Sequence, residues 1–340
     1  MPEQKGNPKK LRSLKTWLLY TGIAFLFLIG IGVGYAVYLY DKTENTITES
    51  HEEVGRDNEI SELRDGDVDP VEDNVSVLFL GVDANGEQGG DRRSDALLLA
   101  TFNKEESSVK LLTIPRDSYV YIPEVDYYTK INHAFSYGEH RASIEAVESF
   151  LKVPVDYYVT MNFEGFVEVV DSLGGISFDV PYEMKESNSQ NKKNTIHLYP
   201  GYQQVNGEEA LALARTRKYD SDIARGKRQQ EILKEVTNKA TSASSVFKLE
   251  DLIVAVGSNM NTNLSFAEMR SFLSYGLDEK FSIEKINLDG DGDYMEDGIW
   301  YYHVEENSRE KTQRKLRNHL DLEALSDIDH LVEDRDSTED

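Results

Sequence analysis

Residues 17–40, WLLYTGIAFLFLIGIGVGYAVYLY, run for 24 positions without a single charge. Crossing the hydrocarbon of a bilayer takes about 20 apolar residues, so this run divides a short leading segment from everything after it. A cleaved signal peptide would carry a shorter apolar stretch, about 7–15 residues, and a small-x-small site, which does not follow here. Lys5, Lys9, Lys10, Arg12 and Lys15 precede the run against the single acid Glu3, and acids dominate after it from Asp41. By the positive-inside rule, 1–16 is expected to be a cytoplasmic tail, 17–40 a transmembrane signal anchor, and the rest external. The expected location is the cell membrane, as a single-pass protein with a cytoplasmic N-terminus.

The external part has no cysteine, so its fold stands on its own core without disulfides. Residues 74–325 are enough for one sizeable domain. Charge is uneven: the net value is -25, and 41–73 holds thirteen acids with three bases, while 326–340 holds seven acids with one base. Neither segment shows hydrophobic periodicity, so the first reads as a solvated acidic stalk and the second as an acidic disordered tail. Fully stretched, a 33-residue stalk would reach roughly 110 Å.

Within 74–325, VSVLFLGVD (75–83), ALLLATFN (96–103) and VKLLTIP (109–115) are apolar, β-branched runs. The first two lack the alternation of half-exposed strands, which points to a sheet covered on both faces. Helical patterns follow at 133–151, 163–173, 206–214 and 222–241, with further strands expected at 155–161, 176–180, 281–288 and 298–303, and a last helix over 305–321. Strands mixed with helices indicate a layered α/β domain.

Chemistry gathers at strand ends. Asp83 closes the first strand, Arg116 follows the third, and Asp95 opens the second, so all three are expected on one rim. A second concentration is ALALARTRKYDSDIARGKRQQE (210–231), basic in an acidic chain. Arg225 and Arg228 are three apart on a helix and share a face. Arg215 and Arg217 share a side if the chain is extended there. Guanidinium forks suit phosphate oxygens, and each such contact contributes about 1.5–3 kcal/mol. Asp83 and Asp95 offer the hard oxygens that Mg²⁺ prefers. Carboxylates for a metal and arginines for oxyanions together describe a pyrophosphate site. The bland alternative is a charged, solvated helix face. Nucleic acid is disfavoured as a partner by the acidic surroundings and the external topology.

GVD at 81–83, RRSDALLL at 92–99, TIPRDSYV at 113–120, KINHAF at 130–135, VDSLGGI at 170–176, VNGEEALALARTRK at 205–218 and RGKRQQE at 225–231 resemble, in order and spacing, the LytR-CpsA-Psr family. The likeness is close over 74–240 and looser beyond. It implies a three-layer α/β/α sandwich with a central mixed sheet and an apolar lipid pocket, in the envelope of a Gram-positive-type bacterium. The implied activity is Mg-dependent transfer of a glycopolymer, such as wall teichoic acid, from a polyprenyl-pyrophosphate carrier to peptidoglycan. It implies pyrophosphate contacts from Arg116, Arg215, Arg217, Arg225 and Arg228, supported by Arg93 and by Gln229 or Gln230. It places Asp83 and Asp95 at the metal, and Asp95 also serves as the expected proton acceptor. Hydrolysis of the same pyrophosphate, or regulation of envelope genes, are the competing readings.

Two features invite other readings. DGDGDYMED (289–297) lacks the Gly and Glu that a calcium loop needs, having Tyr294 and Trp300 there, and reads as a turn between strands. The aromatic stretch 156–166 reads as core, with a lipid-pocket lining as the alternative.

Overall fold

The apolar runs pair side by side, as near-continuous hydrophobicity requires of strands buried on two faces. A computed structural model describes residues 50–56, 59–82, 92–216, 218, 222–240, 259–265, 267–269, 271–272 and 282–323. The expected anchor (17–40), the tail (326–340), Asp83 and Arg217 lie outside these. Among the described residues no helix is long and apolar enough to cross a membrane.

In chain order the elements are β1 (Val75–Val82), β2 (Ser94–Asn103), β3 (Ser108–Thr113), β4 (Tyr119–Ile122) and β5 (Tyr127–Lys130). Then come α1 (Ala134–Leu151), β6 (Tyr157–Asn162), α2 (Phe163–Ser172), β7 (Ile176–Val180), β8 (Met184–Glu186), β9 (Ile196–Leu198) and β10 (Gly201–Val205). They are followed by α3 (Gly207–Arg215), α4 (Asp222–Ala240), β11 (Met260–Thr262), β12 (Ser282–Asn287), β13 (Gly290–Tyr294), β14 (Trp300–Val304) and α5 (Glu306–His319). Every strand and helix expected from the sequence is present within a few residues. The pairs β4–β5 and β8–β9, and strands β10 and β11, go beyond those expectations. The 289–297 segment is also only partly a turn, because its first half is strand β13 paired with β14.

The central sheet has the order β11-β6-β1-β2-β3-β12. It is mixed: β1 runs parallel to β6 and antiparallel to β2, and β3 runs parallel to β12. Alternation sends Leu78 and Leu80 of β1, with Leu97 and Leu99 of β2, to one face, where α1 and α5 cover them through Ile144, Val147 and Leu316. The other face presents Val77, Phe79, Leu98 and Phe102, with α2, α3 and α4 on that side. The result is three layers. Helix α4 comes close to the end of β3 at Gly226, where a Cβ would lie 2.6 Å from Thr113 Cγ2. A larger residue there would push the helix off the sheet.

The stalk reading needs correction. Its described part, 50–56 and 59–73, packs on the domain. Val54 joins the main core at 2% exposure, Arg64 makes two hydrogen bonds to buried Asp156, at 2.8 and 2.6 Å, and Arg56 reaches Glu148 at 3.2 Å. The segment's few apolar and basic residues are the ones that anchor it, which an average over its acids conceals.

Candidate functional site

Between the sheet face and the α2–α3–α4 layer lies a cavity of about 600 Å³. Its floor is Val77, Phe79, Ala96, Leu98, Phe102 and Val159, and its roof includes Phe166, Leu211, Ile232 and Val236. It extends along β2 from Asp95 to Phe102, about 23 Å at 3.3 Å per residue. The lining changes character along that length. The Phe102 end adds Leu264, Met269 and Phe272, whereas the Asp95 end adds Arg116, Asn162, Arg215, Arg225 and Gln229.

Topology explains the polar end. β1 and β6 are parallel with Val82 beside Asn162, and antiparallel β2 brings Ser94 to Val82. Leu98 faces Thr113 at the end of β3. Asp95 and Arg116 therefore meet and form an ion pair. Behind Arg116, buried Asp117 is held by Lys130 at 2.9 Å. Asn162 caps α2, its Oδ1 accepting from Gly165 N at 2.7 Å. Arg215 ends α3 with its guanidinium 4.4 Å from the centre of the Phe163 ring and donates to Asn191 Oδ1 at 3.2 Å. Arg225, 5% exposed, enters from the start of α4, beside the close contact at Gly226.

The expected phosphate ligands thus divide. Arg116, Arg215, Arg225 and Gln229 line the cavity together with Asp95. Arg228 does not: its Nε donates to Leu213 O at 2.9 Å and its Nη2 to Thr216 O at 2.8 Å, so it caps the C-terminal end of α3. Gln230 is fully buried on the far side of α4, donating to Leu111 O and Ile286 O at 3.1 Å each. Of the two glutamines, Gln229 is the one at the cavity, and it too donates to α3, at Ala214 O (3.1 Å). Arg93 is exposed just before β2 and is not part of the lining. Sequence spacing missed Asn162, whose signal is the Asn-Phe-Glu-Gly start of a helix. Within the aromatic stretch, Phe163 and Phe166 line the cavity, whereas Tyr158 is core.

Asp95 is the described carboxylate in this lining. The three-ligand group found among the described residues, Glu52, Glu139 and His140, does not include it. A cavity with a guanidinium-lined end and a long apolar end is shaped for an amphipathic ligand with an anionic head.

The model of the LytR-CpsA-Psr family matches residues 37–318. The chain belongs to that family. Among family proteins, TagT of Bacillus subtilis, a polyisoprenyl-teichoic acid–peptidoglycan teichoic acid transferase, is 36% identical over 324 residues, covering 94% of this chain and 99% of TagT. A solved structure of TagT bound to LIIa-WTA superposes with a TM-score of 0.66 at 36% identity, covering 78% of this chain and 98% of that one. TagT with bound octaprenyl pyrophosphate lipid matches with a TM-score of 0.62 at 33% identity, covering 77% and 97%. Membership accounts for the layered mixed-sheet fold expected from the motif blocks.

Proposed function

We propose that this protein moves an anionic cell-wall glycopolymer from a polyprenyl-pyrophosphate carrier onto a peptidoglycan hydroxyl, with a phosphodiester as product. The observation that carries this reading is the cavity's polarity: over a length of about 23 Å, three arginines line one end and apolar side chains line the rest. A relative that holds octaprenyl pyrophosphate supports the same assignment of ends.

In this reading the forks of Arg116, Arg215 and Arg225 grip the diphosphate oxygens, with Arg217 joining by its place in the sequence. The acceptor oxygen attacks the polymer-side phosphorus. A new P–O bond forms to the sugar, the bond to the bridging oxygen breaks, and polyprenyl phosphate departs. Asp95 takes the hydroxyl proton. The arginines stabilise the charge growing on the leaving phosphate, because they are already fixed where it develops. The residues also fit Mg²⁺: it is held by one or two carboxylates plus phosphate oxygens, and Asp95 supplies a hard oxygen at the guanidinium end, with Asp83 next after β1. Bound there, the ion would neutralise diphosphate charge. We further propose that 17–40 anchors the chain, with the domain outside the cell.

The test incubates full-length protein with lipid-linked donor and peptidoglycan, with and without Mg²⁺. Polymer should become covalently attached, and Asp95→Asn should lose both transfer and the response to Mg²⁺. Polymer released without attachment would make the protein a hydrolase.

A further inference from the structure

The hairpin of β4 and β5 leaves the sheet directly after Arg116, Asp117 and Ser118. Its register sets Tyr119 opposite Lys130 and Tyr121 opposite Tyr128, so these four share one face. On the other face Val120, Ile122 and Thr129 are buried in the domain, whereas Tyr127 at the turn end is exposed. Strand β14 lies alongside, fixed by Tyr302 N donating to Asp117 O at 2.9 Å. Tyr119 therefore meets Tyr301 at 5.0 Å, His303 at 5.6 Å and Tyr128 at 5.5 Å between ring centres, and Tyr121 meets Tyr128 at 5.5 Å.

Four of these rings, Tyr119, Tyr121, Tyr128 and His303, reach the surface, with Tyr128 59% exposed, and they lie over the ring of Tyr301, which is buried at 5% exposure. Two phenols are held in place, Tyr121 Oη donating to Asp126 Oδ1 at 2.5 Å and Tyr301 Oη to Asp297 Oδ2 at 2.9 Å. Cross-strand aromatic pairs do stabilise ribbons. That alone does not explain why the solvent face is aromatic in a chain with 62 acidic residues. Nor is the patch remote from the site: Lys130 Nζ lies 5.6 Å from the centre of the Tyr301 ring and pairs with Asp117, the neighbour of Arg116.

Its charge selects the occupant. Lys130 is neutralised by Asp117, and register places Asp291 and Asp293 of β13 opposite His303 and Tyr301, on the same face. Gly292 between them leaves room for the Trp300 ring, since a Cβ there would overlap it. An anionic polymer is repelled by such a frame, whereas an uncharged sugar ring presents C–H faces that suit tyrosine and hydroxyls that suit carboxylates. Tyrosine also gives a large rigid contact at low entropic cost.

We propose that the surface of Tyr119, Tyr121, Tyr128 and His303, backed by the buried ring of Tyr301, is the acceptor subsite, binding the uncharged acetamido-sugar chain of peptidoglycan and leading its hydroxyl towards Arg116. This rests on the transferase reading above, and the test separates the two. Chitohexaose serves as the uncharged probe, titrated calorimetrically into the full-length protein in detergent. It should bind the wild type and the Tyr128→Trp variant. Tyr121→Ala/Tyr128→Ala should weaken it by roughly tenfold, while Tyr202→Ala, an exposed tyrosine on β10, should not. In the transfer assay the double variant should raise KM for the peptidoglycan acceptor and leave KM for the lipid-linked donor unchanged. The proposal is overturned if chitohexaose fails to bind the wild type or binds the double variant equally well. It is likewise overturned if the donor KM moves instead, which would assign the surface to the donor polymer. If no transfer is seen in any variant, the titration still decides the subsite.

Discussion

Two arginines three residues apart on one helix, Arg225 and Arg228, have opposite jobs. Spacing puts them on one face, but α3 ends at Arg215, and its last carbonyls need donors. Arg228 supplies them from a position 6% exposed, leaving Arg225 to the cavity. Arg225→Lys keeps the charge and loses the fork, so transfer should fall by more than roughly tenfold, a contact of about 1.5–3 kcal/mol. Arg228→Lys gives up both Leu213 O and Thr216 O at once, each buried carbonyl costing about 1–3 kcal/mol. It should therefore lower Tm as well as transfer, and Arg225→Lys should lower Tm by less. Lys218→Ala and Lys227→Ala are controls, since Lys218 pairs with Glu186 at 2.9 Å away from the cavity lining and Lys227 is exposed. Equal Tm losses in the two arginine variants would erase the distinction. The sequence could name the cluster because guanidinium groups among acids stand out. It could not divide it, because which side chain caps depends on where a neighbouring helix stops.

Elements with a strong apolar signal were legible. β1 has a single polar residue, Ser76, β2 and β3 carry apolar stretches at 96–100 and 111–112, and α2 and α3 carry their own caps at Asn162 and Asn206. The β4–β5 hairpin was not, because YVYIPEVDYYTK mixes aromatic with polar positions and hides its alternation. The N-terminal arm was misread for the converse reason: a few contacts hold a mostly acidic strip. Tyr158 Oη donates to Glu52 O at 2.8 Å, and Arg64 neutralises Asp156, whose side chain is 2% exposed. A fragment beginning at 74 would strip Asp156 of its guanidinium, and breaking a buried pair from one side costs about 3–5 kcal/mol. Its Tm should lie about 10 °C or more below that of a fragment beginning at 47. Arg64→Ala in the longer fragment should reproduce much of that loss. Matching Tm values for the two fragments would return the arm to the status of a loose linker.

At the scale of the molecule, the packed arm shortens the tether. If 17–40 spans the bilayer, only nine residues, 41–49, join it to the first described position, a fully extended reach of about 30 Å rather than 110 Å. A catalytic domain on so short a lead suits a substrate whose lipid stays in the membrane, provided the domain is on the outer side. The proposed orientation rests on the five bases before the span and the acids after it, since Lys and Arg resist translocation far more than Asp and Glu do. The chain has no cysteine of its own, so single introduced thiols report sidedness without background. In intact, wall-stripped cells a membrane-impermeant maleimide should label a Gln190→Cys variant, which places the thiol on an exposed loop of the domain. A Ser13→Cys variant should stay unlabelled until the cells are lysed. The reverse pattern would put the arginine-lined cavity in the cytoplasm, out of reach of peptidoglycan. The transferase reading would then fail, whatever the geometry of its site.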